Sequence, residues 1–325
     1  MLPPTLPAAL KAALDVKLEG LSRSDAAARA SAISRTYRDG GGSGTIRTEA
    51  DALAYALARM PATYAAVVAS LNALSEIRPD FSPRTLLDIG AGPGTGSFAA
   101  AEVFASLERF VLLDRNETLR ALALELARQF PRLNEWTYSS SDARTGLTQT
   151  DVADLVIASY VIGELSDADR NELTRLMWSK TTDTLLIVEP GTPAGYARII
   201  GARQQLIARG AHVAAPCPHD SACPLTPPDW CHFAQRLARS RAHKEVKGAE
   251  LPFEDEKFSY VAVTRKPIIS ARARVLAQPS LSKVEVSAKL CAANGLVLAK
   301  VPRRDKVAYA RARRWRWGEA VMDES

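Results

Sequence analysis

LLDIGAGPGTGSFAA, running from Leu86 to Ala100, is the stretch whose reading decides the fold. An apolar run ends in Asp88 and passes into a turn with glycine at every second position, Gly90, Gly92, Gly94 and Gly96. Glycine gives up more backbone freedom on folding than any other residue, so these four do not serve helix or strand stability. They suit a turn that lets a ligand approach the main chain. The small and apolar residues that follow open a helix whose N-terminal amides point at that ligand.

Two nucleotide-type readings compete. The dinucleotide fingerprint needs glycine at its first, third and sixth positions, and counted from Gly90 the sixth is Thr95. The spacing D-x-G-x-G-x-G instead resembles motif I of the class I S-adenosylmethionine-dependent methyltransferases. That resemblance implies a Rossmann-like α/β fold, with Asp88, Gly90, Gly92 and Gly94 under the cofactor. Asp114 closes the next strand-like run, FVLLD, where a carboxylate can accept both hydroxyls of a ribose. Asp142 follows the run after that and resembles the acid that accepts from an adenine amino group. Asp88 is expected to orient the loop and contact the methionine amino group. Ser159 closes the fourth run and opens the segment SYVIGE, where methyltransferases carry substrate-facing residues. The segment lacks the (Asn/Asp/Ser)-Pro-Pro-(Tyr/Phe) tetrapeptide of base amino-group methylation and identifies no catalytic base. Methyl transfer can rest mainly on in-line positioning, so this leaves the enzymatic question open.

Outward from this stretch, the pattern alternates as a doubly wound sheet requires. Strand-like runs cover Thr85–Ile89, Phe110–Asp114, Trp136–Ser139, Asp154–Ser159, Thr184–Glu189, His212–Ala215 and Lys257–Arg265, with helical segments between them. Residues 1–80 read as a helical preface. Leu10, Leu14, Leu18 and Leu21 recur at helical spacing, and a second helix should end near Tyr37. Thr48 and Asp51 open a third helix that stops before Pro61, and a fourth starts at Ala62. The face bearing Arg59 and Tyr64 is a candidate to sit above the glycine loop. The methyltransferase domain spans 81–267 with a cysteine-rich insertion at 210–245, and 268–325 form a small β extension with a basic tail.

The chain has 325 residues, enough for a large core, and no apolar run of membrane-spanning length is evident. Its first residues, MLPPTLPAAL, lack the basic flank of a secretory signal and the arginine-rich face of an organelle transit peptide, so a reducing, cytoplasmic setting is expected. A monomer is expected. The net charge is +6, whereas Lys300–Trp317 alone nets +7, so the positive charge belongs to the tail.

Four cysteines in a chain of this size are not a disulfide framework. Cys217, Cys223 and Cys231 are spaced C-x5-C-x7-C among Pro216, Pro218, Pro224, Pro227 and Pro228, and Cys291 follows later. Prolines this dense forbid regular structure, and a metal centre would hold such a loop together. Asp229 is placed to cap a helix beginning near Trp230, with Cys231 in its first turn. All-thiolate ligation suits an iron-sulfur cluster or zinc, and His219 and His232 keep a Cys3His zinc site open.

YALARMPATYAAV (55–67), LLDIGAGPGTG (86–96), VEPGTPAG (188–195), APCPHDSACPL with DWCHFAQRLAR (215–239) and EDEKFSYVAVTR (254–265), followed by a late cysteine and a basic tail ending in Trp-Gly, together resemble the methyltransferase-like protein 17 family. The resemblance implies S-adenosylmethionine binding, a [4Fe-4S] cluster on Cys217, Cys223, Cys231 and Cys291, and association with small-subunit rRNA during ribosome assembly; beside the family's mitochondrial members, the opening MLPPTLPAAL, with no evident transit peptide, makes a bacterial cytoplasm the expected location and mitochondria less so. The tail fits an RNA partner. Arg303, Arg304, Arg311, Arg313, Arg314 and Arg316 offer phosphate contacts, and Trp315 and Trp317 offer stacking surfaces. Arg236, Arg239, Arg241 and Lys244, on the helix expected after the cysteine loop, would extend the patch. The alternatives are an active rRNA methyltransferase using the same surfaces and, less favoured, a small-molecule methyltransferase.

Overall fold

The computed structural model describes residues 2–38, 41–133, 136–248 and 250–322. Helices α1 (Ala8–Leu18), α2 (Arg23–Arg38) and α3 (Glu49–Ile77) come first. Thr48 starts α3 with a reciprocal cap, its hydroxyl accepting from Asp51 N (3.2 Å) while the Asp51 carboxylate accepts from Thr48 N (2.9 Å). The break expected at Pro61 does not occur, and α3 continues through it as one helix. A proline removes one main-chain hydrogen bond. Burial on both sides of it outweighs that loss, because Leu53, Leu57, Met60, Val67, Leu71 and Leu74 are each no more than 5% exposed. The continuous helix is long and apolar enough to cross a membrane, contrary to expectation, and here most of that window is packed inside the protein.

The sheet follows in alternation: β1 (Thr85–Ile89), α4 (Thr95–Val103), β2 (Arg109–Asp114), α5 (Glu117–Ala127), β3 (Thr137–Ser140), α6 (Ala143–Gln149), β4 (Ala153–Ser159), α7 (Asp167–Lys180), β5 (Thr181–Pro190), α8 (Pro193–Ile207), β6 (His212–Ala215), β7 (Phe233–Ala238), α9 (Arg241–Lys247) and β8 (Phe253–Thr264). The strand order is β3-β2-β1-β4-β5-β8-β6, parallel from β3 to β5 and antiparallel at β8. This is the Rossmann-like fold of the class I S-adenosylmethionine-dependent methyltransferases. One apolar cluster joins α3, α4 and α5 to Leu86, Leu112, Leu155 and Leu186 of the sheet. The other joins α6, α7 and α8 to Leu87, Leu113, Val156 and Leu185. Strands covered on both faces read as continuous apolar runs, which is why LLDI and FVLL were legible.

The helix expected from Trp230 is instead strand β7. FAQRLA pairs antiparallel with residues 253–258 of β8, while β6 pairs with residues 262–264. The proline-rich loop therefore lies between two short strands that share one long partner, and Ser259 Oγ of β8 donates to Cys231 O (2.7 Å). Pairing with a ready edge overrides the helical spacing of DWCHFAQRLAR. Asp229 caps nothing in this arrangement; its carboxylate accepts from Lys289 Nζ (2.6 Å).

A second sheet holds β9 (Ala273–Val275), β10 (Ser280–Leu281), β11 (Glu285–Ala292), β12 (Gly295–Pro302) and β13 (Ala320–Val321), with α10 (Lys306–Ala312) before the last strand. β11 lies at its centre, paired with β9, β10 and β12. Since α3 is the central piece of the larger core, Leu71→Ala should cost about 2–5 kcal/mol in urea unfolding, the range for a leucine truncated in a packed interior.

Candidate cofactor pocket and cysteine site

The glycine turn follows β1. Gly90, Gly92 and Gly94 have φ of 63°, 53° and 80°, the left-handed region that favours glycine. A Cβ at Gly90 would stand 2.3 Å from Val161 Cγ2, and one at Gly94 would stand 2.6 Å from the Trp136 ring. At Gly92 a Cβ would make only an ordinary contact, 3.9 Å from Leu119 Cδ1, so there the backbone angle alone selects glycine. A Cβ at Gly96 would meet Asp88 Oδ2 at 2.9 Å, so the absent side chain makes room for the acid.

Asp88 is wholly buried. Its Oδ2 accepts from Ser97 Oγ (2.8 Å), whereas Oδ1 has no partner. Burial pushes its pKa up to about 7. Asp114 accepts from Gly92 N (2.9 Å) on Oδ2 and from Asn116 N (2.8 Å) on Oδ1, so it anchors the glycine turn from the end of β2. Each of its oxygens retains a lone pair for a hydroxyl donor, and burial raises its pKa as well. Asp142 caps α6 by accepting from Arg144 N (3.1 Å) and is half exposed. It lies one residue beyond Ser141, whose N–H donates to Asp114 O (3.1 Å). Ser159 ends β4 and is half-buried. The structure thus brings the glycine turn, Asp88 and Asp114 together, with Asp142 and Ser159 at neighbouring strand ends.

Of the segment SYVIGE singled out in the sequence, Glu164 and Tyr160 take up specific contacts, and Glu189 is a group that sequence reasoning missed. Glu164 meets the loop after α2: a Cβ on Gly42 would fall 2.2 Å from Glu164 Oε2, and the Ser43 N–H donates to the carboxylate. Asn116 Nδ2 holds the same loop by donating to Ser43 O (2.9 Å) and Ile46 O (3.0 Å). Burial pushes Glu164 to about 7. Glu189, at the end of β5, is buried with Oε1 unpartnered and Oε2 3.2 Å from Arg198 Nη1, and burial lifts it to about 7 too. Tyr160 has φ of 61°, and among the described residues no other non-glycine residue has positive φ. Its hydroxyl donates to Glu256 Oε1 (2.7 Å), and the Arg59 guanidinium lies 5.8 Å from its ring centroid. Arg59 therefore faces Tyr160, and Tyr64 is buried in the core. Only Tyr160's backbone angle could not have been signalled by residue type.

The cysteines come together. Cys217, Cys223 and Cys231 from the loop and Cys291 from β11 line one cavity of about 30 Å³. Tyr196 Oη lies 3.2 Å from Cys223 Sγ, and Cys291 Sγ lies 3.5 Å from His219 Nε2. Burial, reinforced by neighbouring thiols, raises Cys217, holds Cys231 well above the usual thiol value and pushes Cys291 up to about 12. This reverses the helix-terminus activation expected for Cys231. Neither histidine lines the cavity. His232 stacks on Trp230 at 5.1 Å and meets Trp317 edge-on at 5.0 Å. Among the described residues no three His, Cys, Asp or Glu side chains are placed so that they could hold a metal ion.

In the basic tail Arg303, Arg304, Arg311, Arg313, Arg314 and Arg316 are exposed. Trp315 packs in the small core of the second sheet, and Trp317 Nε1 donates to His232 O (3.0 Å), so both rings are engaged within the protein. Arg236 lies on β7, not on a helix, and pairs with Asp255 (2.7 Å); Arg239 pairs with Glu254 (2.9 Å). Arg241 and Lys244 lie on α9.

Residues 49–322 match the profile of the family described as Rsm22, mitochondrial small ribosomal subunit Rsm22. The chain is 30% identical over 288 residues to the human ribosome assembly protein METTL17, mitochondrial, covering 82% of this chain and 62% of that protein. It is 26% identical over 325 residues to the Rsm22-cox11 tandem protein 2, mitochondrial, of Schizosaccharomyces pombe, covering 84% of this chain and 43% of that one. The chain thus spans less than two thirds of the length of these curated relatives. Among solved structures it is similar to an O-methyltransferase family protein from Burkholderia thailandensis (TM-score 0.44, 13% identity, 67% of this chain and 60% of that). A second is the magnesium protoporphyrin IX methyltransferase of Synechocystis PCC 6803 (TM-score 0.42, 13% identity, 71% and 93%). The bacterial cytoplasmic location expected from MLPPTLPAAL is corrected by these matches, because the family and the named relatives are mitochondrial.

Asp88 supplies a pH test. Its ordinary value is 3.8 and its folded value about 7, so between these the folded protein holds a proton that the unfolded chain has released. Stability attributable to this group is present below pH 3.8 and is lost as pH rises towards 7, by up to about 1.4 kcal/mol per pH unit. Asp88→Asn should flatten that slope and make the protein relatively more stable at pH 7.5 than at pH 5, measured by urea unfolding at the two values.

Proposed function

The chain belongs to the Rsm22 family, and from that premise we propose that it is an rRNA-binding, S-adenosylmethionine-binding protein of ribosomal small-subunit assembly, stapled by a [4Fe-4S] cluster on Cys217, Cys223, Cys231 and Cys291. The observation that carries this reading is the convergence of three loop thiols and one thiol from the second sheet on a single cavity. A group bonded to all four would fasten the arginine-bearing arm to the methyltransferase fold. The donor set, four thiols bordering one cavity with no histidine among its lining residues, is the chemistry that suits an iron-sulfur cluster, with zinc as the alternative. When bound, the cluster supplies iron–thiolate cross-links to a loop whose prolines allow no ladder of its own.

The cofactor reading is supported by the bare main chain of Gly90–Gly94, the unpartnered Asp88 oxygen and the lone pairs of Asp114. Three acids with raised pKa around the turn suit a ligand carrying positive charge at its sulfonium and amino groups. The exposed arginines around α10 support phosphate contact, and the engaged tryptophans assign them to holding that arm. One observation favours methyl transfer as well: Tyr160 has a strained backbone immediately after β4, where methyltransferases place the acceptor.

Anaerobically purified protein should be brown and contain iron and labile sulfide, and Cys291→Ser should lose both and expose residues 265–272 to limited proteolysis. A colourless protein with stoichiometric zinc would overturn the cluster. Reversing Arg313, Arg314 and Arg316 to Glu should weaken RNA binding and reduce the slope of log K against log salt by about 0.7–0.9 for each lost phosphate contact. Absence of co-sedimentation with small-subunit precursors at low salt would overturn the assembly role. A methylated rRNA nucleotide that disappears on gene deletion would establish the second reading.

A further inference from the structure

Two guanidinium groups are sealed inside the protein beside the four thiols. Arg203 of α8 and Arg274 of β9 are each 1% exposed, and both line the cysteine cavity. Arg203 Nη2 donates to His219 O (2.6 Å) and Ser221 O (2.8 Å), while its equally buried Nε has no partner. Arg274 Nε donates to Pro216 O (2.8 Å), and Nη1 donates to Gly318 O (2.9 Å). Every one of these acceptors is a neutral carbonyl. Carbonyls take up donors without neutralising the charge, and among the described residues neither arginine forms an ion pair with a carboxylate; Glu76 feels Arg274 only through space and is itself held above its ordinary value by burial.

A buried cation without a paired counter-charge is strongly unfavourable. Protonated thiols carry no charge and do not answer it. Four thiolates around a core with two positive charges leave two net negative charges, one for each guanidinium. We propose that Arg203 and Arg274 are the charge-balancing positioning residues of the cysteine site, built to hold a doubly anionic thiolate-ligated group and to favour its further reduction relative to a site without them. This rests on the cluster reading for the identity of the group, but the charge balance itself applies to four thiolates on zinc as well. The same two side chains hold the loop's carbonyls at Pro216, His219 and Ser221, so position and charge are set by one pair of residues.

The test uses the full chain, purified anaerobically or reconstituted with iron and sulfide, in the variants Arg203→Lys, Arg203→Met, Arg274→Lys and Arg274→Met. Iron and sulfide content and the midpoint potential, titrated with dithionite, are the readouts. Each methionine variant that loads should show about a tenfold weaker reduction equilibrium, a shift of about 59 mV to more negative potential for a one-electron couple. The lysine variants should stay near the original value. Where a methionine variant fails to load, Arg203→Gln and Arg274→Gln separate charge from carbonyl pinning, since glutamine is neutral but still donates: a glutamine variant that fails to load, or loads at the more negative potential, beside a lysine variant that loads supports the proposal, and one that loads fully at unchanged potential overturns it. Methionine variants with full metal content and unchanged potential would overturn it, as would lysine and methionine variants that fail to load alike, which would leave the arginines a purely carbonyl-pinning role. Should the bound metal be zinc, the cluster reading fails separately. The arginine proposal is then read from chelator competition, with at least tenfold weaker zinc retention in methionine than in lysine variants expected and equal retention overturning it.

Discussion

The junction at the middle of β8 is the constraint on which the rest depends. A loop with five prolines cannot satisfy its own carbonyls with a regular ladder, yet here it is brought inside the protein. Its carbonyls at Pro216, His219, Ser221 and Cys231 are taken up by Arg274, Arg203 and Ser259, donors from three other elements. Those donors enclose the space that four thiols border. The loop is shaped less by its own sequence than by what surrounds it.

That junction also determines how the two sheets are joined. Arg274 reaches from β9 to the loop and to Gly318 O, Cys291 reaches from β11, and Trp317 donates to His232 O. All three contacts meet the same segment of the larger domain. The exposed arginines of the C-terminal arm therefore take their position from contacts made at the cysteine site.

At the other end of the sheet the glycine turn is enclosed from two directions. Asp114 and Tyr138 grip Gly92 through its N–H and its carbonyl, at 2.9 and 2.7 Å. The loop at residues 41–46, held by Asn116 and Glu164, brings the helical preface to the pocket. Burial from water raises Asp88 and Glu164 here, and Glu189 at the end of β5, each to about 7.

What the sequence determined by itself was local. The glycine turn, the apolar runs at β1, β2 and β4, the acids at strand ends and the four cysteines are legible because periodicity, backbone freedom and side-chain chemistry act over a few residues. The tertiary structure decided what local signals leave open. FAQRLA is helical by spacing but becomes β7 because β8 offers an unpaired edge, and α3 passes through Pro61 because its two halves share one core. Trp315 and Trp317 look like stacking surfaces in a basic tail, yet packing engages both within the fold. Arg203 and Arg274 carry no signal in a chain rich in arginine, since a buried guanidinium is distinguished from a solvated one only by what the fold places around it.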